Sequence, residues 1–358
     1  MFKYTLRRLI QAIPTLIGIS MFAYLLMGLS PGGPVKALTF DPKMRPEQRE
    51  RLALQLGVND PIPVQYLRWL LGDTWMRWDS DGDGVSDGSF LIPIDANNDG
   101  VPEPPGTRQG VLRGDWGRSI FEKRPVADII RERVPATLEL GISSLLLGLF
   151  LGVPIGVLAA VRRGGWFDSI TRITAVLFNA VPVFWLGLIL ILVFGSWLRL
   201  LPMGSRCPST LTGGCPPITQ RLEYLILPTF VLATGGIAVY SRYMRASMLD
   251  VIGQDYIRTA KAKGLSGRQV WFTHGARNAL IPVATFLGPS VAGLLGGAPI
   301  TETIFSWPGL GRVGVSSVLQ KDYNVVMAVV ILGAVATIIG YLISDILYAL
   351  IDPRIRFS

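Results

Sequence analysis

The sequence predicts an all-α integral membrane protein with six transmembrane helices and an irregular extracytoplasmic insert. Three observations predict it. Half of the residues are apolar and only 16% are charged, against about a quarter in soluble globular domains. The mean hydropathy is +0.43. Long apolar stretches also recur with gaps between them, each near the roughly 20 residues that cross a hydrocarbon core.

The stretches are residues 9–29, 137–161, 173–197, 225–244, 279–295 and 325–350. An even number puts both termini on one side, and Lys and Arg say which. The N-terminal segment carries Lys3, Arg7 and Arg8. The loop after the second stretch carries Arg162, Arg163 and Arg172 against one acid, Asp168. The loop after the fourth carries Arg242, Arg245, Arg258, Lys261, Lys263, Arg268 and Arg277 against Asp250 and Asp255, and the tail carries Arg354 and Arg356. These segments fall on one side, which is therefore cytoplasmic. The net charge of +9 then belongs to inward-facing loops and does not speak for a nucleic-acid partner. The expected location is the inner or plasma membrane, multi-pass, with both termini cytoplasmic. The first stretch is too long for a secretory signal core and shows no small-residue cleavage site, so it reads as a retained helix.

The expected organisation follows in chain order: an N-terminal tail and first span (1–29), an extracytoplasmic segment (30–133), a five-span core (134–350) and a cytoplasmic tail (351–358). In the outer segment, residues 46–53 open with a proline at a helix start. Residues 65–71 read as an amphipathic helix whose Tyr66, Trp69 and Leu70 suit the membrane–water boundary. Residues 126–133 lead into the second span. Pro154, Pro182, Gly288 and Pro289 interrupt spans two, three and five, which membranes tolerate where neighbouring helices re-satisfy the backbone.

From about 73 to 110, Asp, Asn, Gly and Pro dominate. Asp79, Asp81, Asp83, then Gly84, Val85 and Asp87, follow calcium-loop spacing. Asp95, Asn97, Asp99, then Gly100, Val101 and Glu103, repeat it. Oxygen ligands at positions one, three, five and nine, a carbonyl at seven and glycine at six fit such loops. Position twelve is Phe90 or Gly106 rather than Glu, so neither copy is a complete EF-hand. The two readings are a structural Ca2+ that stiffens the insert and a solvated acidic loop without an ion.

Residues 250–278 are the most informative. Residues 256–263 have helical composition, and Gly264 stops them, as glycine does in the left-handed conformation. Ser266 followed by Gln269 is a capping-box pattern that starts a second helix. That helix carries Val270, Trp271 and Phe272 and ends near Gly275. Its apolar residues are expected to lie on the bilayer surface or in a groove of another protein.

At these residues the chain resembles the permease subunits of ABC importers, in the dipeptide/oligopeptide class. The general hallmark of that family is E-A-A, three residues, then Gly. Here Arg258-Thr259-Ala260 and Gly264 hold those positions, so the Glu and first Ala are replaced. The peptide-type form is closer: DYIRTAKAKGLS followed by HGARNALIP. RRLIQAIPTLIGIS near the N-terminus, ETIFSWPGLGR at 302–312 and DILYALIDPRIR at 345–356 agree with it. The resemblance spans the chain outside the 73–110 insert. It implies the ABC importer type I permease fold and a transport subunit, not an enzyme, for di- or oligopeptides. Nickel, glutathione or oligosaccharide are other solutes of the class. It also implies a second homologous permease, two cytoplasmic ABC ATPase subunits, an extracytoplasmic solute-binding protein and no cofactor in the core. The loop would be the ATPase-coupling element, through Asp255, Arg258, Ala260, Gly264, Ser266, Trp271, Phe272, His274 and Asn278. The chain has no Gly-rich Lys-Ser/Thr phosphate loop, so ATP hydrolysis would fall to another polypeptide. A secondary transporter or channel working without an ATPase is the other class of reading.

Cys207 and Cys215 lie in the external loop after span three, where an oxidising exterior favours a disulfide over two free thiols. Asn179, Glu139 and Asp345 are polar residues at span positions and so candidates for the solute path. For Asp345, a structural pair with an Arg near the inner boundary is the other reading.

Overall fold

The computed structural model describes residues 2–29, 45, 60–73, 108–208 and 215–351. These residues are helical and turn structure with no strand, apart from one isolated bridge between Arg118 and Pro125. In chain order the helices are α1 (Phe2–Gly28), α2 (Ile62–Leu71), α3 (Val126–Val161), α4 (Trp166–Ala180) and α5 (Val183–Leu190). A π-helical stretch, Ile191–Trp197, continues α5. Then come α6 (Leu222–Ile252), α7 (Asp255–Ala262), a second π-helical stretch (Gln269–Gly275), α8 (Ala276–Ala279), α9 (Ile281–Gly296), α10 (Pro299–Ile304), α11 (Leu310–Leu319) and α12 (Tyr323–Ile351). The helix expected at 46–53 and the calcium ligands Asp79, Asp81, Asp83, Val85, Asp87, Asp95, Asn97, Asp99, Val101 and Glu103 lie outside the described residues.

Four of these helices are long and apolar enough to cross a membrane: Leu6–Gly28, Val126–Val161, Leu222–Ile252 and Tyr323–Ile346. Their outer surfaces are apolar. Ile10, Ile13 and Phe22 of α1, Leu146 and Phe150 of α3 and Ile339 of α12 are all exposed, as suits side chains solvated by hydrocarbon rather than water.

Two of the six expected spans are not single long helices, at positions where proline and glycine are expected to interrupt them. Span three is the pair Trp166–Ala180 and Val183–Trp197, bent by 101°. Pro182 has no N–H to continue the helix and forces the residue before it into extended backbone; Val181 accordingly sits at φ −77°, ψ 124°. Span five is only the 16 residues of α9, which start at Ile281-Pro282 and end at Gly297, φ +75°.

The chain divides into two compact units. The first comprises residues 1–12, 133–313 and 332–358. Its largest core joins Val157 and Ala160 of α3, Tyr240, Met244 and Met248 of α6, Ala276 and Ala279 of α8, and Val283 of α9. The root of the 250–278 loop is thus packed into the same core as the spans. The second unit comprises residues 13–132 and 314–331. Here the aromatics of α2 depart from expectation. Tyr66 and Trp69 are buried against Tyr24 and Met327, not laid on a membrane boundary, and the Tyr66 hydroxyl meets Ser20 Oγ at 2.8 Å. On the same helix, buried Arg68 pairs with Asp60 at 2.6 Å and Asp73 at 2.7 Å. Burial opposes its charge, but hydrogen bonds and charge from the two carboxylates outweigh this and raise its pKa.

Candidate functional site

The 250–278 loop is built by three local devices. The first is α7, whose Ile257 and Ala260, one turn apart, are buried against Val270. The second is the turn that ends it. Gly264 takes φ +72°, and its N–H donates to Lys261 O at 2.9 Å. The left-handed conformation here is the glycine stop read in the sequence. The third is the capping box: Ser266 N–H donates to Gln269 Oε1 at 3.2 Å and Gln269 N–H to Ser266 Oγ at 3.4 Å. The second helix follows as the π-helical stretch Gln269–Gly275 and then α8.

One expectation about this loop needs correction. Trp271 and Phe272 do not share a face. Trp271 packs inward against the clusters around Val270 and Met248, and Lys261 Nζ sits 4.6 Å from its ring centre. Phe272 is 40% exposed, as is Tyr256. The outward surface therefore consists of these two aromatics with Asp255, Arg258, Lys263, Arg268, His274, Arg277 and Asn278. Asp255 and Arg258 pair at 3.2 Å in the open.

A second constellation was not read from the sequence, although Glu302, Trp307, Gly309, Leu310 and Arg312 lie in the 302–312 stretch. Glu302 of α10 is fully buried. Its Oε1 accepts from Thr137 Oγ1 and Ala298 N–H, both at 3.2 Å, and its Oε2 from Arg312 N–H at 2.7 Å. Thr137 Oγ1 in turn accepts from Leu310 N–H at 2.7 Å, and Trp307 Nε1 donates to Ala136 O at 2.8 Å. A Cβ at Gly309 would overlap the Glu302 carboxylate, so glycine there is a condition of the knot. The group fastens the α10–α11 turn to α3.

The third is Asp168, which the charge count recorded only as the lone acid among cations. It is buried. Arg245 of α6 grips it with two bonds, Nε to Oδ1 at 2.5 Å and Nη2 to Oδ2 at 2.8 Å, and Gly164 N–H adds a third at 3.0 Å. The pair ties the start of α4 to the C-terminal part of α6.

Residues 152–357 match the family described as "binding-protein-dependent transport system inner membrane component", and residues 1–82 match the N-terminal family of the same membrane component. The chain belongs to this family. Among curated relatives, the oligopeptide transport system permease protein AppB of Bacillus subtilis (strain 168) is 40% identical, with all of both chains covered. The dipeptide transport system permease protein DppB of Escherichia coli (strain K12) is 35% identical over 99% of each. The glutathione transport system permease protein GsiC of the same strain is 34% identical over the full length of both. A solved structure of the MetNI methionine ABC transporter, in an inward-facing conformation, aligns at TM-score 0.48 and 19% identity, covering 63% of this chain and 96% of that one.

The protein is thus a permease, a membrane transport subunit rather than an enzyme. Within it, the three polar candidates for the solute path have local partners. Glu139 of α3 is held by Arg206 at 2.8 Å and Arg221 at 2.7 Å. Asn179 is exposed, and its Nδ2 donates to Ala175 O of its own helix at 3.0 Å. Asp345 pairs with Arg8 at 3.4 Å, the structural alternative weighed from the sequence. Cys207 and Cys215 lie with Cα atoms 5.7 Å apart, within the span a disulfide bridges. Among the described residues no group of three or more His, Cys, Asp or Glu is placed to hold a metal.

Proposed function

We propose that this permease imports di- or oligopeptides, driven by ATP hydrolysed on two separate cytoplasmic subunits that seat on its 250–278 loop. It would form the translocation path with a second homologous permease and receive solute from an extracytoplasmic binding protein. The observation that carries the coupling role is the loop's outward surface. Two glycine- and cap-fixed helical segments, rooted in the same core as α3, α6 and α9, project exposed Tyr256 and Phe272 among cations. A rigid root with an aromatic knob suits a lever driven by another protein, since exposed aromatics anchor interfaces. The names of the full-length relatives support peptides as solute. The glutathione relative fits the same class, glutathione being a small peptide. The cation bias of the 162–172 and 242–277 segments supports cytoplasmic termini. The 5.7 Å separation of Cys207 and Cys215 supports an external disulfide. For calcium, the spacing in residues 79–103 is the sole support.

The test is co-purification with the ATPase subunits. Gly264→Pro removes the N–H bonded to Lys261 O and forbids the positive φ, and should abolish the complex. Phe272→Glu alters only an exposed side chain, so the permease should fold at normal yield yet lose ATPase binding and peptide-stimulated ATP hydrolysis. Retention of both by the Phe272→Glu protein would refute the docking role. Peptide flux that persists without ATPase subunits would favour a secondary transporter.

A further inference from the structure

A cavity of about 780 Å³ opens between α4, α6 and α9, lined by Arg172, Val176, Val239, Arg242, Tyr243, Arg245, Ala246 and Phe286. Two features set it apart. The first is charge. Arg245 is matched by Asp168 at 2.5 Å, and Arg172 leans toward the same carboxylate at 3.8 Å. Arg242 is exposed and makes no ion pair or hydrogen bond among the described residues. Two of the three guanidiniums therefore share one carboxylate, and among the described residues Arg242 has no counter-charge on an apolar span, where an unpaired cation is costly.

The second is the order of polarity with depth. At 1.5 Å per residue, Ala246 and Arg245 lie about 9–10 Å from the end of α6 and Val239 about 20 Å from it. Arg172 lies about 9 Å from the start of α4 and Val176 about 15 Å. Arg242 stands about 15 Å along α6, but its stem is long enough to carry the guanidinium toward the boundary. Trp166 at the start of α4 is 72% exposed, as an interfacial aromatic would be. Arg172 and Arg245 thus lie toward the cytoplasmic end and Val239 lies deepest, while Arg242 and Val176 start from one level, from which the arginine's long stem alone reaches back to the boundary. The Tyr243 and Phe286 rings line the same cavity, 4.1 Å apart between centres.

We propose that this cavity binds an acidic phospholipid of the inner leaflet, its phosphate on Arg242 and Arg172 and an acyl chain along Val176, Val239 and Phe286. Cationic pockets between spans on the cytoplasmic side take anionic headgroups, and the deeper apolar lining gives the chain a place that a free phosphate would not use. The inference rests on the cytoplasmic orientation proposed above. The lipid would offset the unmatched charge on α6, the helix that leads into the 250–278 loop.

The test uses the intact protein, purified in mild detergent and returned to nanodiscs of phosphatidylcholine with or without phosphatidylglycerol. Bound lipid is read by native mass spectrometry. The unaltered chain should retain phosphatidylglycerol over phosphatidylcholine. Arg242→Gln should lower that preference about fivefold, as expected for one cation near a charged headgroup. Arg163→Gln, in the exposed turn outside the cavity, should leave it unchanged. Equal retention by the Arg242→Gln protein, or no preference for phosphatidylglycerol, overturns the proposal. So does displacement of the lipid by peptide, which would make the cavity part of the solute path, or by inorganic phosphate at similar affinity. A Val176→Cys cross-link to the second permease would likewise assign the cavity to the subunit interface. The lipid readout needs no ATPase, so its failure is separable from failure of the coupling role.

Discussion

At the scale of single residues, the most consequential side chain is one whose identity alone said little. Glu302 is a fully buried carboxylate held by a hydroxyl and two backbone N–H groups. Removing it strands those donors, so Glu302→Ala should destabilise the permease by about 3 kcal/mol. Gly309→Ala presses a methyl group into the same carboxylate and should cost about 1–3 kcal/mol through overpacking. Because the two residues share one space, their effects should not add: the double variant should be less destabilised than the sum. Thermal unfolding of the four proteins in detergent measures this, and strict additivity would mean the glycine serves something other than the carboxylate. The same scale explains what the polar candidates became. Glu139 looked like a solute-path acid because it stands in an apolar run. Arg206 and Arg221, its partners, arrive from 67 and 82 residues away, and no local pattern announces such a pairing.

At the scale of elements, Asp168 and Arg245 are the clearest strut. The bond joins α4 to α6, the helix that leads into the 250–278 loop, and Asp168 is nearly inaccessible. Asp168→Asn leaves Arg245 half-paired and should cost roughly 3 kcal/mol, the scale of breaking a buried pair. The charge swap Asp168→Arg with Arg245→Asp should recover part of that loss, whereas Arg172→Gln, whose guanidinium is 3.8 Å away and largely exposed, should change stability little. Melting temperatures of the three variants and the unaltered protein decide it; no recovery in the swap would show that the Gly164 amide bond, not the charge pair, carries the strut. Local chemistry made other elements legible. Gly264 needs a positive φ and Ser266 needs Gln269 three residues on, so a turn and a helix start were readable within a six-residue window. The length and apolarity of α1, α3, α6 and α12 made them readable as spans. What was not readable depends on packing. Pro182 and Val181 announce a break, but the 101° bend is set by what α4 and α5 each touch. Trp271 and Phe272 are neighbours in a helical stretch, so they point to different faces; which one tucks under Lys261 depends on a cluster built by Ile257 and Val270. The aromatics of α2 look interfacial until Tyr24, about forty residues earlier, supplies a partner.

At the scale of the whole molecule, charge asymmetry and the cysteine pair make one joint prediction. If the cation-rich termini and the 162–172 and 242–277 segments face the cytoplasm, as proposed above, the residue 198–221 loop lies on the opposite, external face. The only two cysteines of the chain lie in that loop, with Cα atoms 5.7 Å apart. An oxidising exterior should keep them bonded, and closing so short a loop, eight residues in sequence, restrains the segment that delivers Arg206 and Arg221 to Glu139. Intact cells treated with a membrane-impermeant maleimide should therefore leave the permease unlabelled. Mild reductant added from outside should then allow labelling of both thiols without permeabilising the cells. Labelling before reduction would mean the thiols are free. Labelling only after permeabilisation would place the loop inside, and with it would invert the orientation on which both the coupling role of residues 250–278 and the inner-leaflet lipid site depend.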